Sequence, residues 1–355
     1  MPRLKMPSWL PIDPYILVLV ATVGLAALLP AEGAAAPVAA DASSVAIGLL
    51  FFLYGARLST REAVAGMSHW RLHLTVVVST FALFPLLGLA AHGLVPYVLT
   101  PQLYTGLLYL CILPSTIQSS IAFTSIARGN VSAAICAGTY SSLIGMVATP
   151  VLAGLILLPL PWAGDAHSTG AFSAHGLLDI ALQLLVPFVA GQLLRRWIGG
   201  FLARHKKVLG LVDRGSILLV VYTAFSEGMA RGIWHQVTAV RLLELLGVEA
   251  VLLAVVLTIT STVSRRLGFN RGDRIAIVFC GSKKSLANGL PMASVLFGAQ
   301  AGLLILPLML FHQMQLMVCA VIAKRWSTDA GDGGEGSLPS ERSPSPDAQA
   351  RPAHA

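Results

Sequence analysis

The sequence predicts an all-α polytopic membrane protein: ten transmembrane helices built as two inverted five-helix repeats, with the fourth and ninth helices broken. Three observations carry this. Hydrophobic residues make up 55% of the 355 and fall in blocks of about 20, the length that crosses roughly 30 Å of hydrocarbon. Charged residues make up only 11%, against about 25% in a soluble domain. The basic residues, finally, are confined almost entirely to alternate connections between the apolar blocks.

The spans read as about 14–30, 43–57, 72–92, 103–127, 131–158, 176–197, 211–230, 242–264, 273–298 and 302–323. Pro37, Pro96 with Pro101, and the Pro159–Pro161 turn punctuate the connections. Tyr15–Leu29 runs too long for a secretory h-region and has no convincing cleavage site, so it reads as a span. Beyond Trp326 the composition turns to Ser, Pro, Gly, Asp and Glu. Residues 327–355 are therefore expected to be a disordered cytoplasmic tail. Cys111, Cys136, Cys280 and Cys319 all fall within spans and show no metal-ligand spacing, so they read as small apolar filler.

Charge placement tests the count. One set of alternate connections holds Arg3 and Lys5, then Arg57, Arg61 and Arg71, then Arg128. It continues with Arg195, Arg196, Arg204, Lys206, Lys207 and Arg214, then Arg265, Arg266, Arg271 and Arg274, and ends with Lys324 and Arg325. The other set holds Arg231 and Arg241 alone. The positive-inside rule then places both termini in the cytoplasm and Pro159–His175 outside, in the plasma membrane (the inner membrane of a bacterium). The net charge of +8 is a matter of orientation, and no nucleic-acid partner is implied.

Because five is odd, two halves of one fold must enter the membrane from opposite sides, the inverted repeat of secondary transporters. The ninth span, Ile275–Phe297, carries Gly281, Ser282, Lys283, Lys284 and Ser285 at mid-depth, with Asn288, Gly289 and Pro291 beyond. A lysine there costs about 2.5–3.5 kcal/mol on insertion scales, and freed backbone at that depth must be buried in protein or line a wet cavity. The alternative, a surface loop between two short helices, leaves flanks too short to span. The matching fourth span, Leu103–Ala127, is interrupted by Pro114 and a polar run, Ser115, Thr116, Gln118, Ser119 and Ser120. Pro114 removes a helical N–H and clashes with the preceding turn. These residues, with Gln313 of the tenth span, form the expected substrate- and ion-binding set.

Each break presents a C-terminal half-helix end that suits a cation or an ammonium and an N-terminal end that attracts anions. Ser285 is a candidate cap for the second half of the ninth span. Lys283 and Lys284 project about 100° apart on a helical turn, so one is expected to face the cavity while the other pairs with carbonyls or snorkels. His312, Gln313 and Gln315 could line that cavity or hold helices together. Ser141 and Ser142 are expected to bond their own helix. Glu249 is a candidate partner for a lysine, Arg231 or Arg241, and Asn130 a cap at the turn into the fifth span. No G-x-x-x-x-G-K-[ST] run is present to drive transport with ATP, and no H-E-x-x-H or G-x-S-x-G signals a hydrolase. No catalytic residue or resident cofactor is expected.

Pro114–Leu152 resembles the fourth and fifth helices of the bile acid:sodium symporter superfamily, and Phe279–Met292, FCGSKKSLANGLPM, resembles the ninth helix of its SBF-like branch. The resemblance covers about residues 10–325. It implies a transporter domain over 1–326, with a panel (about 14–57 and 176–230) and a core (about 72–158 and 242–323). The broken helices would cross beside the family's sodium sites. Counted from Ala127-Arg128-Gly129-Asn130, two positions that ligate sodium in the symporters hold Ala134 and Gly138 here, and Pro114 stands one residue further from that run. Lys283 and Lys284 occupy a segment that is acidic in the symporters.

The expectation is a secondary transporter of a small organic anion, embedded in membrane lipid, with Na+, H+ or no coupling ion. The alternative is a non-transporting membrane regulator or sensor on the same fold. One lysine ammonium is expected in place of a sodium ion, held by carbonyls at the end of Ile275–Cys280 and by hydroxyls near Ser115–Ser120. Burial disfavours an ammonium, so such a lysine could also release and regain a proton.

Overall fold

The computed structural model describes residues 14–57, 69–157, 160, 174–230, 238–297 and 301–332. Arg3, Lys5, Arg61, Pro159, Pro161, Arg231 and the tail beyond Asp332 lie outside the described residues. Within them the chain is entirely helical, without strands. Six helices are long and apolar enough to cross a membrane: 35–57, 70–94, 131–156, 207–230, 239–266 and 301–328. This is a multi-pass membrane protein.

In chain order the helices are α1 (Pro14–Leu28), α2 (Ala35–Arg57), α3 (Trp70–Val78), α4 (Phe84–Ala90), α5 (Pro101–Ile112), α6 (Gln118–Ile126) and α7 (Val131–Ile156). Then come α8 (Ala174–Arg204), α9 (Lys206–Ala230), α10 (Ala239–Arg266), α11 (Arg271–Gly281), α12 (Leu286–Phe297) and α13 (Ala301–Asp332). Both expected breaks are present: α5 stops before Leu113 and α11 before Ser282.

Several boundaries differ from the sequence reading. Pro37 was expected within a connection but lies in the first turn of α2, where its missing N–H has no intrahelical partner to lose. The tail was expected from residue 327, yet α13 runs on to Asp332. Ser327 to Ala330 contain no breaker, and Thr328 Oγ1 donates to the Arg325 carbonyl at 2.7 Å. α3 and α4 are joined by a π-helical turn, Ser79–Leu83, rather than a continuous α-helix. Pro85 in the first turn of α4 supplies the physical reason, because it removes an i→i−4 bond and crowds the carbonyl four residues back.

α1, α2, α8 and α9 pack mainly on one another, and α8 lies along α2 more extensively than any other helix pair. Two glycines permit that approach. A Cβ on Gly55 would sit 2.0 Å from the Phe188 carbonyl oxygen, and one on Gly191 would sit 2.0 Å from that of Phe52. Small residues are how helices pack closely when lipid removes the hydrophobic drive between them. The remaining helices gather around α5, α11, α12 and α13, where the largest buried side chains include Tyr104, Tyr109, Phe84, Phe279, Lys283 and Lys284.

Two Asn caps lock one end of this second group. Asn130 Oδ1 accepts from Ala133 N at 3.0 Å and caps α7, as expected; Asn270 Oδ1 accepts from Asp273 N at 2.9 Å and caps α11. Each amide also donates to the buried Asp273 carboxylate, at 2.7 Å in both cases. Arg128, at φ 56°, makes the left-handed turn that brings Asn130 round.

Candidate functional site

The two breaks meet. Ser285 N donates to the Pro114 carbonyl at 2.9 Å, joining the interruptions backbone to backbone. Pro114 fits because Gly145 of α7 lacks a side chain: a Cβ there would lie 2.6 Å from the Pro114 ring. Tyr109 OH reaches the Gly289 carbonyl at 2.6 Å, fastening α5 to α12 on the far side of the crossing.

A helix that stops inside the membrane leaves carbonyls unpaired and about half a negative charge at its end. The two ends solve this differently. At the end of α11, Ser120 Oγ donates to the Phe279 carbonyl at 3.1 Å, Ser115 Oγ to that of Cys280 and Ser79 Oγ to that of Gly281 at 2.8 Å. At the end of α5, Lys284 Nζ donates to the carbonyls of Cys111 at 2.7 Å and Leu113 at 2.8 Å. Thr149 Oγ1 donates to the carbonyl of Ile112 at 3.0 Å. The third ligand of the Lys284 ammonium is the Thr80 carbonyl at 2.9 Å, in the π-turn, and the Phe84 ring centroid lies 4.1 Å away. Lys284 is wholly buried.

This corrects one expectation. A lysine does sit in a cage of carbonyls, but on the end of α5, not of its own preceding half-helix. The hydroxyls of Ser115 and Ser120 serve the end of α11 instead. The reason is reach: Lys284 lies beyond Gly281, so its stem extends across to the partner helix while short hydroxyls close the nearby end.

Lys283 goes the other way. Its Nζ lies 3.8 Å from the Phe123 ring centroid and 5.7 Å from that of Phe279, with no hydrogen-bond partner among the described residues. Neither lysine pairs with Glu249, which was a candidate partner. Both Glu249 oxygens are buried and lack a hydrogen bond among the described residues, and Arg241 pairs with Glu244 at 3.0 Å instead.

A cavity of about 840 Å³ opens beside the crossing. Of the expected residues, Thr116, Gln118, Ser285 and Asn288 line it, and neither lysine does. Ser285 Oγ accepts from Asn288 N at 3.2 Å, the predicted cap. Asn288 Nδ2 in turn reaches Ser142 Oγ at 3.4 Å. Ser142 therefore lines the cavity instead of bonding its own helix, and Ser141 Oγ accepts from Ser115 N at 2.9 Å. Ser119 Oγ donates to Thr116 Oγ1 at 3.3 Å, and Ser282 Oγ returns to its own Val278 carbonyl at 2.6 Å. Gln313 was expected at the site, but Gln315 is the residue that reaches it. Its amide accepts from Lys284 N and donates to the Lys284 carbonyl, both at 2.9 Å, while the Gln313 Oε1 has no hydrogen-bond partner among the described residues.

Sequence reasoning did not foresee the facing wall, which comes from α2, α8 and α9: Tyr54, Phe188 and Ile217 are apolar lining, and Arg57, Lys207 and Arg214 are basic. Asp213, also in that wall, forms an ion pair with Arg57. It also did not foresee the π-turn; Pro85 was the available signal.

The profile of the SBF-like CPA transporter family matches residues 13–328. The chain belongs to that family. It is similar to the Pseudomonas aeruginosa protein PA2026, 54% identical over 327 residues (92% of this chain, 96% of the relative). It is also similar to the Escherichia coli (strain K12) protein called "Putative symporter YfeH", 51% identical over 316 residues (89% and 93%). At greater distance, the "Sodium/bile acid cotransporter 7" of Rattus norvegicus is 29% identical over 333 residues (90% and 94%). The family is a transporter family, and two of these three relatives carry transport names, not enzyme names.

For this family member, the crossing forms two compartments. Behind it are two buried ammonium groups, one on carbonyls and one on aromatic rings. In front of it is a cavity with a polar floor, from Thr116, Ser142 and Asn288, and a wall of apolar side chains edged by Arg57, Lys207, Arg214 and Asp213.

Proposed function

We propose that this transporter carries a small organic anion by alternating access, without sodium coupling, as ten spans in two inverted repeats with both termini cytoplasmic. α5 with α6 and α11 with α12 then count as the broken fourth and ninth spans. The mobile boundary runs between the α1–α2–α8–α9 group and the rest.

One observation carries the substrate charge. The cavity at the crossing is lined by three basic side chains and one carboxylate, a formal +2, and that carboxylate is already paired with Arg57. Lys283 and Lys284 add two buried charges behind the floor, and no described carboxylate is bonded to either. A second cation about 4 Å from Lys284 would be repelled by about 4 kcal/mol at an effective dielectric of 20. That argues against a sodium ion sharing the crossing, and Ala134 and Gly138 offer it no hydroxyls. The ammonium of Lys284 stands in the sodium ion's place, satisfying carbonyls that would otherwise be orphaned.

The test is uptake or counterflow of labelled organic anions by purified protein in liposomes, in sodium buffer and in N-methylglucamine buffer. Equal uptake in both supports the reading. Uptake that rises steeply with sodium would overturn sodium independence. No ligand-dependent flux across a broad anion panel would favour a non-transporting regulator.

A further inference from the structure

A second cavity, of about 780 Å³, adjoins the first and shares Arg57, Gln118, Gly210 and Asp213 with it. It lies where the end of α2, the last turns of α8 and the start of α9 come together, beside the first residue of α6. Its polar lining is Arg57, Arg195, Arg196, Gln118, Gln192 and Asp213. Three guanidinium groups against one carboxylate leave a formal +2, and Asp213 is ion-paired with Arg57. Arg195 is half-buried, and Arg196 lies over the Trp197 ring at 4.1 Å, which limits its freedom.

We infer that this vestibule is a phosphate subsite, and that the transported solute is a phosphate monoester on an apolar body. The phosphate sits among Arg57, Arg195 and Arg196, and the body lies in the first cavity. This rests on the anion-transport reading and adds the head-group class. Three physical points select a phosphate monoester. A phosphate monoester carries about −1.5 to −2 charges at neutral pH, which matches the +2 of the lining; a carboxylate leaves half of it uncompensated. Guanidinium groups are planar forks that match phosphate oxygens in pairs, where an ammonium offers only a point charge. The adjoining cavity carries Lys207 and Arg214 but also Phe188, Met146, Leu143, Leu211 and Ile217, an apolar lining that a small inorganic anion would leave unfilled. The Arg57–Asp213 pair stands on the boundary between the cavities, so the solute's linkage passes beside it.

The shared chemistry is a phosphate group, which a lipid headgroup or a soluble phosphate ester could supply. The experiment measures ligand-induced thermal shift and affinity on the full chain in phosphatidylcholine nanodiscs. The probes are decyl phosphate, decyl sulfate, decanoate and inorganic phosphate, with and without phosphatidic acid in the disc. Decyl phosphate is expected to bind about tenfold or more tightly than decanoate or decyl sulfate, a difference of about 1.4 kcal/mol per decade. The double variant Arg195→Gln/Arg196→Gln should lose that preference, with decyl phosphate weakened far more than decanoate. Should that variant fold poorly, Arg195→Lys/Arg196→Lys keeps the charge, removes the forks, and should weaken decyl phosphate selectively. Competition by phosphatidic acid in the wild type alone would support a lipid headgroup, and its absence a soluble ester; either supports the subsite. Equal affinity for phosphate and carboxylate, or a preference that survives both double variants, would overturn it. Failure of the transport reading is read separately: arginine-dependent decyl phosphate binding with no flux in liposomes sinks transport and leaves the subsite standing.

Discussion

Lys284 Nζ donates to the carbonyl of Thr80 at 2.9 Å, and that carbonyl lies in the π-turn of the α3–α4 span. A regular α-helix engages its carbonyls internally, whereas a π-turn shifts the register and leaves one to spare. The bond therefore ties the α3–α4 segment to both breaks through one ammonium, whose other ligands are the carbonyl of Cys111 in the last turn of α5 and that of Leu113 just beyond it.

The two lysines should respond oppositely to neutralisation. Lys284→Met leaves the carbonyls of Thr80, Cys111 and Leu113 without the ammonium, and an orphaned buried polar group costs about 1–3 kcal/mol. A drop in unfolding temperature well beyond that of any surface variant is expected in detergent. Lys283→Met removes a buried charge that has ring contacts and, among the described residues, no hydrogen bond, and desolvation of such a charge opposes folding. That variant should be at least as stable as the wild type; the reverse order would disprove the assigned roles.

At the contact of α2 and α8, Gly191→Ala should be disruptive. Its Cβ would lie 2.0 Å from a backbone oxygen, so the helices must part, at a cost of about 3 kcal/mol or more. Gly210→Ala, with nothing within 4 Å of its Cβ, is the matched control. Comparable thermal stability of the two variants would remove the glycine argument.

Asn288→Asp places a carboxylate in the cavity wall without changing volume. At ~12 Å from an anionic head group and an effective dielectric of 20, the repulsion is about 1–1.5 kcal/mol. The KM for an anionic solute should rise on the order of tenfold, while Asn288→Ser changes it far less. An unchanged KM in the Asp variant would place the solute elsewhere.

Orientation is checked by cysteine labelling of intact and permeabilised cells. Tyr97 is 82% exposed and belongs to the connection before α5; Arg266 ends α10 and is exposed. A membrane-impermeant maleimide should reach Tyr97→Cys in intact cells and Arg266→Cys only after permeabilisation. Three of the four native cysteines are buried and the fourth half-buried, which keeps the background low. Labelling of Arg266→Cys from outside would reverse the topology.

Apolar block length, lysines at mid-span and Pro114 by themselves determined that this is a helical membrane protein and where its helices break. These are local properties: a hydrocarbon slab demands a set length, and a proline or a charge disrupts a helix wherever it falls. Ser285 and Asn130 were readable as caps because a cap bonds within three residues of itself. Only the tertiary structure decided that Lys284 serves the end of α5 and the Ser79 and Ser115 hydroxyls that of α11. It also decided that Gln315, not Gln313, holds the break and that Arg57, Lys207 and Arg214 face it. Those relationships join residues far apart in the chain, such as Lys284 and Thr80, 204 positions apart. Periodicity gives the face a residue occupies on its own helix, and the helix opposite that face is set by packing.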